Sequence, residues 1–540
     1  MIIKMSDVIQ YWWQGRRFKH PETNHMVLFK SLPLGEQVRL NNLMKDSLET
    51  KSIQNINEHF QNIIKADKPL ASFVGKMKSK NHSLYLVGGA IRDILRGKKS
   101  KDSDFVTNAS PQEVSDVMDS INVKHVDVGK DFGVNVLVGD KENYEIATFR
   151  REDYGDDPHK PEKVEYLKTI EEDLERRDFT INSLAYDVFN NRVIDSHNGI
   201  EDLKKGIIRS VGNPVKRFKE DPIRIFRAFR FASTMGFEID KDIKKVLPSF
   251  KNDPKTNRQS KERIINELDK ILMSSTPEIG MGMMVGSKMN EIMMSTGKGE
   301  GHQTSFLPEL THLEGLKQNS KYHKFDALTH LLNVVKNAPA SIDTKYAALF
   351  HDLGKGLKGI RTYKEDGTPQ DIGHEKKSVE MADEIMKRFG FGAKRAGHIK
   401  FLISNHMKEL PSQSRKHMNK FLNDLKVNFN NKADFKKSIS DLFDLKIADR
   451  QAGIKLEGGD VDNIKRDKDA LLNHLNETPF YSSDLNIGGN DIIKILGLKG
   501  KAVGELLKEL LQRVQSGSLG NTKEELLTAL EKKKQRKENV

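Results

Sequence analysis

The chain has 540 residues, 36% hydrophobic and 31% charged, with a formal net charge of +13 and no cysteine. That length exceeds one hydrophobic core and predicts about three to five domains. The missing cysteine excludes disulfides, zinc–thiolate centres and cysteine-ligated Fe–S clusters, and the positive balance favours a polyanionic partner without choosing among RNA, DNA and lipid headgroups.

Residues 1–75 read as an appended segment of open role. It opens on an aromatic, basic patch with Tyr11, Trp12, Trp13, Arg16, Arg17, Phe18 and Lys19. The tryptophans suit a small core better than base stacking. A helix is expected over 49–65, with Ile53, Ile56, Phe60 and Ile64 at helical spacing. The first residues lack the long apolar run of a signal peptide, and no stretch has the length and apolarity of a membrane span. The expected location is the cytoplasm.

Residues 76–212 alternate strands and helices. Candidate strands are Leu84–Val87, Asp104–Thr107, Val134–Val138, Tyr144–Thr148 and Val193–Asp195. Ser110, Pro111 and Glu113 form a helix-start signal. The pattern gives an α/β unit with a mixed or antiparallel sheet. Beyond 213 strand signals nearly vanish. Residues 213–300 read as helices, including Pro222–Met235 and Glu262–Met273. The methionine-rich stretch 280–294 reads as irregular helical core. A polar break at Gly297–His302 precedes a histidine-dense helical block, 320–455. A polar helical region, 456–540, ends in a basic run from Lys532 to Lys537 that reads as a solvated tail.

The chemistry concentrates first at 84–107. Gly88 and Gly89 follow a short apolar strand and let the backbone approach a phosphate, since neither has a Cβ; Arg92 follows in the next helix. Asp102 and Asp104 are two apart, which places both carboxylates on one face of an extended segment. Like charges so placed call for a cation, and Mg²⁺ with a nucleoside triphosphate is the natural guest. Glu145 is out of phase with Tyr144, Ile146 and Thr148. It is either a third carboxylate from a neighbouring strand or a plain strand-surface glutamate. Arg177 has the reach for phosphate or ribose, and Asp178 for a ribose hydroxyl. Arg224, Arg227 and Arg230 recur every third residue as one cationic stripe. Asp221 and Arg224 together offer an acceptor and a donor to a base edge, a way to select a nucleotide without a template strand.

These runs, Leu86 to Asp93, Lys101 to Thr107, Arg176 to Asn182 and Glu220 to Phe231, resemble in order the class II tRNA nucleotidyltransferase and bacterial poly(A) polymerase family. That family lies within the DNA polymerase β nucleotidyltransferase superfamily. The resemblance implies an α+β fold: a polymerase-β-like head with a mixed sheet, then all-α neck, body and tail. It divides the chain into a head at 76–212, a nucleotide-selecting and RNA-binding neck at 213–300, a body at 301–455 and a tRNA-binding tail at 456–540. It implies that Asp102 and Asp104 bind Mg²⁺, that Gly89, Arg92, Arg177, Asp221, Arg224, Arg227 and Arg230 contact the incoming nucleotide, and that Asp178 lies near its ribose. The implied activity is addition of CCA, or part of it, to tRNA 3′ ends from CTP and ATP.

A second constellation is His330, His351, Asp352, His374, His406 and Asp449. Such residues on separate helical stretches can converge on a divalent metal in a bundle, and the mixed N/O set does not choose among Mn²⁺, Ni²⁺, Fe²⁺, Co²⁺ and Zn²⁺. His302, His312 and His323 read as ordinary surface or core residues. The runs Leu307–Leu310, Tyr322–Asp326, Leu349–Gly356, Ile372–Glu375, Ser404–Met407 and Ala448–Arg450 resemble an HD-type phosphohydrolase domain, which implies a second activity on 2′,3′-cyclic or other phosphoesters. Three alternatives stay open: a poly(A) polymerase, an enzyme restricted to CC or A addition, and a non-transferase RNA-binding HD phosphohydrolase.

Overall fold

The structure, a computed structural model, describes residues 53–100, 103–126, 133–153, 163–297, 301–409, 411, 413–454 and 460–538, and two short paired strands, Phe18–Lys19 and Met26–Val27. Trp12, Trp13 and Asp102 lie outside the described residues. The chain forms two compact units. One comprises residues up to Arg224 with Glu238–Ile243; the other comprises Ile225–Phe237 and everything from Lys244 onward.

The first unit is built on a seven-stranded sheet. Its strands in chain order are β1 (Leu84–Val87), β2 (Asp104–Thr107), β3 (His125–Val126), β4 (Val134–Val138), β5 (Asn143–Thr148), β6 (Ala185–Asp187) and β7 (Arg192–Ile194), and they lie side by side as β7-β6-β1-β2-β5-β4-β3. β2 and β5 run parallel and every other pair is antiparallel, so the sheet is mixed, as expected. Both faces are covered. Leu84, Leu86, Phe105, Tyr144 and Ile146 pack with helices α1 (Lys68–Ser79) and α3 (Pro111–Ser120), while Tyr85, Val87, Val106 and Phe149 pack with α4 (Ile170–Glu175). A strand covered on both faces needs apolar residues at every position, and all four residues of β1 are buried. The short helix α2 (Gly89–Leu95) follows β1 directly. The Ser110 and Glu113 side chains form the capping box that starts α3. The expected helix near the N-terminus runs over 53–66 and adds Ile56 and Phe60 to the core. Helix α5 (Pro214–Glu220) ends at Asp221, and α6 (Ile223–Met235) follows, with the boundary between the units inside it.

The second unit is helical with small ribbons that periodicity did not reveal, Met293–Ser295 with Gln303–Ser305 and Arg361–Tyr363 with Pro369–Asp371. Helices α7 (Lys261–Leu272) and α8 (Pro277–Gly286) follow α6. A Cβ on Gly280 would meet Ser233 Oγ at 2.2 Å and the Phe229 carbonyl oxygen at 2.5 Å, so only glycine permits α8 to lie this close to α6. Met281, Met284, Met289 and Met294 are fully buried, the core role expected of that stretch. A bundle follows: α9 (Ala327–Asn337), α10 (Ile342–Phe350), α11 (His374–Phe389), α12 (Ala393–Asn405) and α13 (Lys432–Ala452). The last three helices, α14 (Gly489–Leu496), α15 (Lys501–Ser516) and α16 (Lys523–Glu538), close a core of their own around Ile492, Leu510 and Leu526. Among the described residues no helix is long and apolar enough to cross a membrane.

Candidate active sites in the head and in the helical bundle

In the first unit the site forms at one end of the sheet. Val87 pairs with Asp104 across β1 and β2, so the Gly88–Gly89 turn and the Asp104 carboxylate lie at the same end. The parallel register Phe105↔Ile146 continues one step back to place Asp104 beside Glu145 on β5. Both residues are exposed, and both lie on the sheet face of Val106 and Ala147, because side chains alternate along a strand. Two carboxylates on adjacent strands of one face suit a divalent cation.

Gly88 has φ of +66°, a backbone that disfavours any side chain, and a Cβ there would stand 3.1 Å from Arg177 Nη1. A Cβ on Gly89 would stand 3.6 Å from Arg92 Nη2. Two guanidiniums therefore close over a turn made of glycines. Asn182 links them. Arg92 Nη1 donates to its Oδ1 at 2.7 Å, Arg177 Nη1 donates to its carbonyl at 3.3 Å, and its Nδ2 donates to Asp178 Oδ1 at 3.0 Å. Asp173, fully buried, accepts from Arg176 Nη2 at 2.7 Å and from Arg177 Nη2 at 3.1 Å. Burial pushes the Asp173 carboxyl up, but the Arg176 and Arg177 charges outweigh it and hold it below the usual carboxylate range. Asp173 and Asn182 were not assigned roles from sequence. The i, i+4 spacing of Asp173 and Arg177 on α4 and its C-terminal turn was the available signal.

Arg224 is anchored to this cluster. Its Nη2 donates to the Arg176 carbonyl at 2.9 Å, and its Nη1 to Glu220 Oε2 at 3.0 Å and the Arg217 carbonyl at 3.2 Å. Asp221 Oδ1 accepts from the Ile223 amide at 3.3 Å. Residues 221, 224, 227 and 230 are all half-buried, with buried apolar residues between them. In the second unit, Arg230 Nε donates to the buried Glu267 at 2.5 Å, and its guanidinium lies 3.9 Å from the Phe231 ring centroid. Arg227 lies 5.4 Å from the same ring.

The bundle brings its six predicted residues together. His330 lies on α9, His351 and Asp352 follow α10, His374 begins α11, His406 follows α12, and Asp449 lies on α13. Asp352 is the hub, 1% exposed. Its Oδ2 is 3.2 Å from His351 Nε2 and 3.8 Å from His330 Nε2; its Oδ1 is 3.1 Å from His374 Nε2 and 3.9 Å from His406 Nε2. His330 Nε2 is 2.9 Å from Asp449 Oδ1. Two ligand triads result, His330–His351–Asp352 and Asp352–His374–His406, each with its ligand atoms within 4.8 Å of one another. Three rings are aimed by backbone. The Nδ1 atoms of His351, His374 and His406 lie 2.7–2.8 Å from the carbonyls of Ala348, Asp371 and Ile403. Donation from Nδ1 leaves Nε2 with its lone pair, the tautomer a metal ligand requires. His351 Nε2 is buried without an aligned hydrogen-bond partner, a cost that a bound cation would remove. Burial, with His351 nearby, pushes His406 down to about 3, which keeps it neutral and able to ligate. Burial raises the Asp352 carboxyl, but neighbouring His351 and Lys355 and the hydrogen bonds from His351 and His374 outweigh it and hold it well below the usual range. The residue set fits divalent metal.

The cluster opens into a cavity of about 580 Å³. Sequence reasoning treated His323 as ordinary, yet it lines this cavity, with its ring centroid 4.6 Å from that of His330. Lys355, also unassigned from sequence, stands 2.7 Å from Asp352 Oδ2.

Comparison with known families fits this arrangement. Residues 84–209 match the poly A polymerase head domain, 236–295 match the "probable RNA and SrmB-binding site of polymerase A", and 328–452 match the HD domain. Residues 84–209 thus carry a poly A polymerase head domain and residues 328–452 an HD domain. Among curated relatives, the CCA-adding enzyme of Streptococcus gordonii is 37% identical over 218 residues, 40% of this chain and 53% of that protein. The one from Ligilactobacillus salivarius is 38% identical over 221 residues, 41% and 53% of the two chains. The chain thus spans about half the length of the curated relatives it matches. In fold it is similar to the Bacillus stearothermophilus CCA-adding enzyme solved with CTP, at a TM-score of 0.60 and 23% identity over 87% of this chain and 99% of that one. It is also similar to the Thermotoga maritima CCA-adding enzyme solved with tRNA, at 0.53 and 22%, over 87% and 94%.

Proposed function

We propose that this protein adds CCA to tRNA 3′ ends, using CTP and ATP and releasing pyrophosphate. The observation that carries the reading is the end of the sheet where two guanidiniums close over the Gly88–Gly89 turn while Asp104 stands opposite Val87. Phosphoryl transfer asks a protein for positioning and charge rather than covalent chemistry, and this end of the sheet supplies both. The main chain at Gly88 and Gly89, with Arg92 and Arg177, binds the triphosphate. Asp178 orients the ribose. Asp221 and Arg224 present an acceptor and donors to the base edge, with Arg224 fixed by its bond to the Arg176 carbonyl. Family roles toward the nucleotide for Arg227 and Arg230 belong to the same proposal. Mg²⁺, held by Asp102, Asp104 and Glu145, would neutralise charge developing on the attacking and leaving oxygens. The neck at 213–300 and the tail at 456–540 would bind tRNA through its phosphates, so affinity should fall as salt rises. The reading places the enzyme in the cytoplasm.

The test is incubation with tRNA lacking CCA, with labelled CTP and ATP supplied separately and together. A three-nucleotide extension that needs both supports the reading. Runs of A from ATP alone would make the protein a poly(A) polymerase, and addition of only CC or only A would make it a partial enzyme. No incorporation would leave an RNA-binding phosphohydrolase.

The six-residue convergence in the bundle favours a second activity, metal-dependent hydrolysis of 2′,3′-cyclic or other phosphoesters. Bound divalent ions would generate hydroxide and polarise the phosphoryl oxygen. His330, His351, Asp352, His374, His406 and Asp449 would hold them, and Lys355 adds positive charge beside Asp352.

A further inference from the structure

We propose that the mouth of the bundle cavity is a nucleobase clamp, in which Tyr322, Ile372 and Met407 hold the base of a nucleoside phosphoester whose phosphate lies at the histidine–aspartate cluster. The proposal rests on the phosphoesterase reading of that cluster. Tyr322 is 43% exposed, Ile372 75% and Met407 57%, and all three line the same cavity. Single exposed apolar residues need no explanation, but three around one opening do. They come from three separate segments, and each is tied by the chain to a histidine of the site. Tyr322 precedes His323, Ile372 lies two residues before His374, and Met407 follows His406. The backbone that aims the ligands therefore also fixes the rim.

Depth supports the assignment. At about 580 Å³ the cavity exceeds what a bare phosphate needs and lies in the range of sites for whole small molecules. Polarity is graded along it. The buried end carries the metal ligands and Lys355, suited to phosphate, and the outer end carries Tyr322, Ile372 and Met407, suited to a flat apolar face. Gln370, also in the lining, offers an amide to ribose or base edge. Stacking accepts every base, because each has a π face, so the clamp should recognise a base without strongly choosing one. A free mononucleotide and an RNA 3′ end share this chemistry.

The test compares the full-length protein with a Tyr322→Ala, Ile372→Ser, Met407→Ser variant, supplied with Mn²⁺. Substrates are adenosine 2′,3′-cyclic phosphate, an RNA oligonucleotide ending in the same group, and base-free glycerol 1,2-cyclic phosphate. The ratio of kcat/KM for adenosine over glycerol substrate is expected to fall about tenfold or more in the variant, chiefly through KM. A fall with the mononucleotide alone assigns the clamp to free nucleotides, and a fall with both extends it to RNA ends. An unchanged ratio overturns the clamp. If the wild type cleaves none of the substrates with any supplied metal, the phosphoesterase reading fails by itself. Equilibrium binding of adenosine 3′-phosphate then decides the clamp: about tenfold weaker binding by the variant supports it, and equal binding or none overturns it.

Discussion

Asp104 and Asp352 are both carboxylates assigned to metal, yet Asp104 stands exposed at the start of β2 and Asp352 is 1% exposed among four histidines. The head presents its carboxylates at an open sheet end, where a triphosphate can arrive already carrying its cation. The bundle buries its ligands and fixes three imidazoles by backbone carbonyls before any substrate comes. On the proposed function, exposure would make the head depend on its substrate to complete a metal site, whereas burial would make the bundle centre complete by itself and costly without an ion.

The largest expected effect separates these two designs. Asp104→Ala should reduce nucleotide addition on the order of a thousandfold, since transition-state charge loses a metal ligand. Its melting temperature should match the parent, because an exposed carboxylate contributes little to the core. Incorporation near the parental rate at matched Mg²⁺ would remove Asp104 from the site. Asp352→Asn should act on the other centre. Both triads share this residue, so protein-bound divalent metal after gel filtration should fall sharply and cyclic phosphodiesterase activity by about a hundredfold or more, with CCA addition retained. Metal retained at the parental level would show that the triads do not bind it.

A smaller effect probes specificity within the head. Arg224→Ala should damage the choice between CTP and ATP by roughly 30-fold, about 2 kcal/mol for a lost charge-assisted bond, with tRNA affinity changed less. Misincorporation and tRNA binding measured side by side check this. An unchanged nucleotide ratio with much weaker tRNA binding would reassign the arginine to the RNA track.

The two regions also differed in how they could be read from sequence. β1 and β2 were legible to the residue, because a short apolar run ending in Gly88 and a run starting at Asp104 leave little freedom. The capping box at Ser110 was legible because its chemistry is local. β6 was not. Ala185–Asp187 is three residues long and buried at every position, so it shows no alternation, and only its pairing to β1 makes it a strand. In the bundle, the six ligands were legible as residue types on separate helical stretches, whereas His323, Tyr322, Ile372 and Met407 stood in the HD-like runs without a role, because only tertiary structure gathers segments so distant in sequence around one cavity. In the head, Asp173 and Asn182 were quoted within a motif but their work as anchors was not seen. A buried aspartate between two arginines reads in sequence like any solvated charge run.

That anchor gives the last and smallest test. Asp173 holds both Arg176 and Arg177 from a fully buried position, so it positions the guanidinium proposed to bind phosphate. Asp173→Asn should lower stability at neutral pH by about 2 kcal/mol, less than for a wholly buried pair because both arginines reach solvent. The effect should depend on acid in one direction only. The carboxyl in the folded protein titrates below its ordinary value of 3.8, so the ion pair contributes fully above that value and is lost as pH falls through the folded one. Melting curves of parent and variant should therefore differ most near neutral pH and draw together as the pH falls below 3.8. KM for CTP should rise at neutral pH, as Arg177 loses its support over Gly88. If the gap between the curves stays constant across this range, Asp173 acts through packing alone, and Arg177 must be held over the turn by its bond to the Asn182 carbonyl.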